Sequence, residues 1–156
     1  MKMIRALVFD MDGTIAGLYD VPDWLPKIRG EDASPYLEAE PLLNLSELYE
    51  LLDRFSKLGV EIVINSWLAK GSTPEYDKAV RQAKIEWLKK HNFPYNEIHI
   101  TKYGRTKADA TRHKKGEQVL FDDNVKVRNG WNLGRTVNEK NIMSELIKLL
   151  LEIEEG

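Results

Sequence analysis

The chain has 156 residues, with 23 basic and 25 acidic side chains and a formal net charge of −2 at pH 7. That length suits one domain with a full core, and the near balance of charge excludes a general pull toward nucleic acid or acidic membranes. With no cysteines, no long uncharged apolar run and an N-terminus that enters a strand-like stretch without a basic and apolar leader, neither a disulfide scaffold nor a membrane span is expected, and a cytoplasmic address is the default.

Taken in order, the chain alternates strand and helix. Ile4-Arg5-Ala6-Leu7-Val8 reads as a first strand that ends on Phe9-Asp10-Met11-Asp12-Gly13-Thr14. The following passage of about thirty residues, 15–43, carries Pro22, Pro26, Pro35 and Pro41 without a sustained period, which predicts an irregular flap with one short helix at most. Asn44-Leu45-Ser46-Glu47 forms a capping box, and Leu45, Leu48, Leu51, Leu52, Phe55 and Leu58 then recur on one face until Gly59. Val60 to Ile64 is a second strand ending at Asn65-Ser66-Trp67, and Thr73-Pro74 opens a helix that runs to about His91. Glu97 to Ile100 reads as a third strand, followed by a short basic helix from about Thr106 to Lys114. Gln118 to Phe121 is a fourth, ending on Asp122-Asp123-Asn124. Thr136-Val137 is a short fifth strand, and Asn138 caps a last helix with Ile142, Leu146, Leu149, Leu150 and Ile153 on its buried stripe. Strands joined by helices imply an α/β domain with a mostly parallel sheet and helices on both faces.

Two carboxylate pairs, each at the end of an apolar strand, are the chemical signal. Open α/β sheets place their chemistry at those strand ends. Two carboxylates ~4 Å apart repel by on the order of 4 kcal/mol at an effective dielectric near 20, so a proton or a cation has to join them. A calcium loop can begin with Asp-x-Asp-Gly, but it needs a closing Glu at the position that Val21 holds.

Asp10-Met11-Asp12-Gly13-Thr14 after an apolar strand resembles the first motif of the haloacid dehalogenase-like (HAD) phosphatase superfamily, in its minimal-cap, nucleotidase-like branch. Ser66 stands where the second motif places a hydroxyl, a lysine near a helix start ahead of the fourth strand answers to the third, and Asp122-Asp123 answers to the fourth. The resemblance covers Met3 to about Val137 and implies one HAD-like hydrolase domain over 1–156. Its fold would be a three-layer Rossmann-like sandwich with strand order 5-4-1-2-3, which would gather Asp10, Ser66 and Asp122 at one crevice.

A phosphate ester resists hydrolysis because an anionic nucleophile must approach an anionic phosphoryl group, so a metal and fixed donors must offset that charge. Four carboxylates and no soft ligand favour magnesium. Asp10 is the expected nucleophile, forming an aspartyl phosphate, and Asp12 the acid and then the base. Asp10 and Asp122 are expected metal ligands, joined by resemblance by the backbone carbonyl of Asp12, while Asp123 orients that shell. Ser66 is expected to bind phosphate, as is Asn65 if its amide replaces the hydroxyl that related nucleotidases carry there. Lys107 is preferred over Lys102 as the phosphate-binding lysine, because a helix start adds favourable dipole.

The expected substrate is a small phosphorylated metabolite or nucleotide. Tyr19, Trp24, Arg29 and Tyr36 of the flap are expected contacts, and Trp67 offers a stacking face. Two alternatives remain open from the residues: a phosphatase acting on phosphorylated nucleic-acid ends, which the basic run Arg105, Lys107, Arg112, Lys114 and Lys115 would flank, and a binding module without turnover. Asp12 argues against a dehalogenase, which has no proton to deliver to a halide. The short flap argues against a phosphomutase, which needs a large cap.

Overall fold

A computed structural model describes residues 3–156. Strands β1 (Ile4–Phe9), β2 (Glu61–Trp67), β3 (Glu97–Thr101), β4 (Glu117–Phe121) and β5 (Thr136–Val137) form one sheet in the order β3-β2-β1-β4-β5. Every pairing is parallel. The expected order 5-4-1-2-3 is this sheet read from its other edge. Six helices accompany it: α1 (Trp24–Arg29), α2 (Ser34–Glu38), α3 (Leu45–Lys57), α4 (Pro74–Lys90), α5 (Val125–Gly130) and α6 (Ile142–Glu155).

The central strand β1 is buried on both faces, which is why its sequence is nearly continuous in apolar residues rather than alternating. Leu7 and Phe9 point into one core with Ile62, Ile64, Val119 and Phe121, covered by α3, α6 and the Trp87-Leu88 end of α4. Ala6 and Val8 point into a thinner second core with Val63, Leu120 and Trp131. A three-layer Rossmann-like sandwich results.

The helix ends show where local chemistry was decisive. Asn44 caps α3 by accepting from the Glu47 N–H at 3.1 Å, and Thr73 caps α4 by accepting from the Tyr76 N–H at 3.2 Å. Of the expected α3 stripe, Leu48, Leu52 and Phe55 are buried, whereas Leu58 follows the last turn and is exposed. Asn138 does not cap the last helix. Its side chain accepts from the Lys140 N–H at 3.0 Å in a turn ahead of the helix, and Asn141 holds the cap position.

Two other expectations give way. The basic helix over 106–114 is only a 3₁₀ turn, Lys107–Ala110, and the Lys107 carbonyl accepts from Asn65 Nδ2 at 3.0 Å instead of an amide of a continuing helix. The flap holds two short helices and a 3₁₀ turn (Leu18–Asp20) rather than one helix. Its prolines are the reason: Pro26 and Pro35 sit in the first turns of α1 and α2, where the missing N–H costs nothing.

Candidate active site

The register of the sheet assembles the acidic residues. Phe9 pairs with both Ile64 and Phe121, so the residues that follow in β1 and β4 emerge side by side. The Asp10 N–H donates to the Phe121 carbonyl at 3.0 Å, which ties the end of β1 to β4, and the Asp122 N–H donates to the Val137 carbonyl at 3.1 Å, which ties the end of β4 to β5. Gly13, at φ +80°, then turns the chain back, and the Gly13 N–H donates to the Ala16 carbonyl at 2.8 Å.

Carboxylate oxygens of Asp10, Asp122 and Asp123 lie within 4.8 Å of one another. Lys107, 5% exposed, reaches between two of them, 2.8 Å from Asp10 Oδ1 and 2.7 Å from Asp122 Oδ2. Thr14 Oγ1 donates to Asp10 Oδ2 at 2.9 Å and accepts from the Asp123 N–H at 3.1 Å. Both oxygens of Asp10 are therefore held in fixed directions. Asp122 Oδ1 accepts from the Asn124 N–H at 2.9 Å, at the turn that opens α5.

The electrostatics follow from crowding and burial. Burial, then the charge of Asp10, pushes the Asp122 and Asp123 carboxyls above the usual carboxylate range, with Lys107 opposing the rise at Asp122. Asp12 is raised by burial as well, against the pull of Lys84. For Lys107, burial works against the ammonium, but the carboxylates of Asp10 and Asp122 outweigh it and raise its pKa. The cluster favours any added positive charge.

These groups open onto a cleft of about 670 Å³. Asp10, Asp12, Lys107, Asp122 and Asp123 line its inner end. All four expected flap contacts, Tyr19, Trp24, Arg29 and Tyr36, line its wall, together with Trp67 and Tyr103 from the strand ends. Tyr19 meets Trp24 edge to face at 4.9 Å, and Trp67 tilts against Tyr103 at 5.0 Å. Trp67 is anchored by its Nε1, which donates to the Arg105 carbonyl at 2.9 Å.

Several singled-out residues fall elsewhere. Lys102 is exposed and outside the cleft, so burial and not a helix dipole distinguishes Lys107 from it. Asn65 and Ser66 are buried and do not line the cleft. The Asn65 amide is spent on the Lys107 carbonyl, which ties β2 to the lysine's backbone. Asp12 stands outside that group of three, and its Oδ2 pairs with Lys84.

Lys84 was not anticipated. It lies on α4, wholly buried, with Nζ 2.8 Å from Asp12 Oδ2 and 2.7 Å from both Ser66 Oγ and the Trp67 carbonyl. The signal that points to it is periodic: the buried face of α4 runs Tyr76, Val80, Ala83, Lys84, Trp87 and Leu88, so Lys84 occupies a core position on the helix that follows β2.

No family model and no curated protein sequence matches this chain. Among solved structures, a chain of the Pnkp1/Rnl/Hen1 complex is similar in fold, with a TM-score of 0.57 and 16% sequence identity. The match covers 87% of this chain but 46% of that one, so this chain spans a little under half of its length. The likeness is one of fold, an α/β sandwich on a parallel sheet.

Proposed function

We propose that the chain is a magnesium-dependent hydrolase of phosphate monoesters, of the HAD type, working through an aspartyl-phosphate intermediate. The observation that carries this reading is the convergence of Asp10, Asp122 and Asp123 on one point at the carboxyl ends of β1 and β4, with Lys107 bridging Asp10 and Asp122.

The donor set fits a hard divalent ion. Among the described residues, the carboxylates of Asp10, Asp12, Asp122 and Asp123 form ion pairs with two ammonium groups, those of Lys84 and Lys107, so with all ionised two negative charges remain to be offset. Every side-chain ligand on offer is oxygen, and no histidine or thiol joins them. Asp10, Asp122 and the main chain of Asp12 would hold the ion, with Asp123 orienting the set. When bound, magnesium supplies positive charge beside the phosphoryl oxygens.

The chain's own residues do the rest. Asp10, its two oxygens fixed by Lys107 and Thr14, attacks phosphorus. Lys107 offsets charge on the transferring group, and burial makes that charge count for more than it would in water. Asp12 gives its proton to the departing alcohol and takes one from the water that cleaves the intermediate. Ser66, buried and outside the lining of the cleft, acts from behind the site, where its Oγ accepts from Lys84. The aromatic wall of the cleft suits a leaving group with a flat face, such as a nucleoside.

An assay over small phosphates and 3′- or 5′-phosphorylated oligonucleotides tests this reading. Release of phosphate from at least one small monoester is expected with magnesium and is expected to stop with chelator. No turnover on any substrate would favour a module that binds metal or phosphate without chemistry.

A further inference from the structure

Lys84 has no role in the steps above, yet it is the most completely enclosed cation in the described chain, at 0% exposure. A lysine ammonium has three N–H donors, and all three are committed: to Asp12 Oδ2, Ser66 Oγ and the Trp67 carbonyl. Its Nζ also lies 5.1 Å from the centre of the Tyr36 ring, on the flap. Lys84 does not line the cleft, and it has no donor left for a phosphate. A direct contact with substrate is therefore excluded, and its reach is limited to the groups that it holds.

We propose that Lys84 is a positioning residue for proton transfer, fixing the Asp12 carboxylate through Oδ2 so that Oδ1 carries the proton. This inference rests on the phosphatase reading. Asp12 lines the cleft and its side chain is 19% exposed. Its Oδ1 has no hydrogen-bond partner among the described residues, so one oxygen is clamped and the other is uncommitted on a side chain that borders the cleft.

An Asp10 oxygen forms a bond to phosphorus while the ester P–O bond breaks; the departing oxygen keeps the bonding pair and receives the proton from Asp12 Oδ1. Water then forms a bond to phosphorus and passes a proton to Asp12 Oδ1, while the P–O bond to Asp10 breaks and returns the Asp10 carboxylate with inorganic phosphate. Lys84 stays bonded to Oδ2 throughout and exchanges no proton. Burying an ammonium is costly unless every donor is satisfied, and here the satisfaction comes from the acid, the neighbouring hydroxyl and the strand that carries it.

The test compares Lys84→Met with wild type at saturating magnesium on two substrates, an alkyl phosphate and p-nitrophenyl phosphate. The p-nitrophenolate ion leaves without needing a proton, and Asp12 Oδ1 releases its own to solvent, so only the second step, the attack of water, depends on Asp12. For Lys84→Met, the first p-nitrophenolate per enzyme is expected within about tenfold of the wild-type rate, followed by a steady rate roughly 10²-fold slower. On the alkyl phosphate the loss is expected to be roughly 10²-fold from the first turnover. Should the lone variant fail to fold, Asp12→Asn/Lys84→Met removes both members of the pair and leaves no unpaired buried charge. On the alkyl phosphate it is expected to be no slower than Asp12→Asn alone. A first-turnover loss equal on the two substrates, or a double variant much slower than Asp12→Asn, would overturn the assignment. A wild type inactive on every phosphate would instead overturn the phosphatase reading, and this inference with it.

Discussion

Gly13 leaves no room for a side chain. A Cβ there would lie 2.3 Å from Asp123 Oδ2 and 2.7 Å from Tyr19, on a backbone at φ +80° that other residues adopt only under strain. Gly13→Ala is therefore expected to destabilise the fold by on the order of 1–3 kcal/mol and to displace Asp123, lowering magnesium affinity as well as the unfolding temperature. Unchanged magnesium affinity by calorimetry would show that Asp123 stands apart from the ion. Asp10→Asn is expected to abolish turnover with the fold intact, because an amide neither attacks phosphorus nor ligates magnesium well. Asp12→Asn is expected to keep metal binding and lose roughly 10²- to 10⁴-fold in rate. Lys107→Ala is expected to cost more activity than Lys102→Ala, and a reversed ranking would shift the phosphate-binding role to the third strand's end. At this scale the sequence was legible in placement wherever a candidate residue sat beside a strand end, as Asp10, Asp12, Asp122 and Asp123 do. Lys84 was masked because α4 also carries Lys78, Arg81, Lys89 and Lys90, and its place on the apolar stripe of that helix is what sets it apart from them.

Among the elements, the flap over 15–43 supplies one wall of the cleft. It is pinned to α4 at two points, where Trp87 Nε1 donates to the Ala39 carbonyl at 2.7 Å and the Tyr76 hydroxyl to the Asp32 carbonyl at 2.9 Å, and its two ends are joined by the Leu42 N–H, which donates to the Ile15 carbonyl at 2.9 Å. Thr73 also bonds the Glu31 carboxylate. A segment so tied forms a fixed wall rather than a closing lid, so the binding energy available from the leaving group is modest. Trp24→Ala is expected to raise KM several-fold with little change in kcat, and kcat/KM is expected to vary modestly across small phosphate monoesters. A loss expressed through kcat would mean that the segment closes during turnover. The strands and the long helices α3 and α6 were readable from apolar runs, stripes and caps. The flap helices were not, since their prolines read as breaks when they in fact occupy first turns. The six-residue α5 carries no buried stripe to announce it.

For the molecule as a whole, the acidic end of the sheet holds its charges against their own repulsion, while the opposite end is tied by complementary pairs. Lys114 lies 2.8 Å from Glu97 and 3.2 Å from Glu61, and Arg5 lies 2.8 Å from Glu61. The Arg5 hydrogen bond, helped by Lys114, holds Glu61 below its ordinary pKa; at Glu97, Lys114 and His99 overcome the opposing effect of burial. Depressed carboxylates add stability above their unfolded pKa, about 4.3 for Glu, and that stability is lost as pH falls through the folded values. Lys114→Met is accordingly expected to lower the unfolding temperature near neutrality and to flatten its fall below pH 5, which a series of thermal melts would follow. No helix among the described residues is long and apolar enough to cross a membrane. The sheet order and the meeting of the two acidic strand ends follow from the parallel βαβ topology, which the alternation of elements already implied. The dimensions of the cleft and the burial of Ser66 depend on tertiary packing that no local pattern records. The central claim is that Asp10 becomes phosphorylated during turnover. Acid quenching of the protein while it hydrolyses a small phosphate monoester with magnesium, followed by digestion and mass spectrometry, should place one phosphoryl group on the peptide that contains Asp10. Active turnover that leaves this peptide unmodified, with the phosphoryl group on another residue or on none, would contradict it.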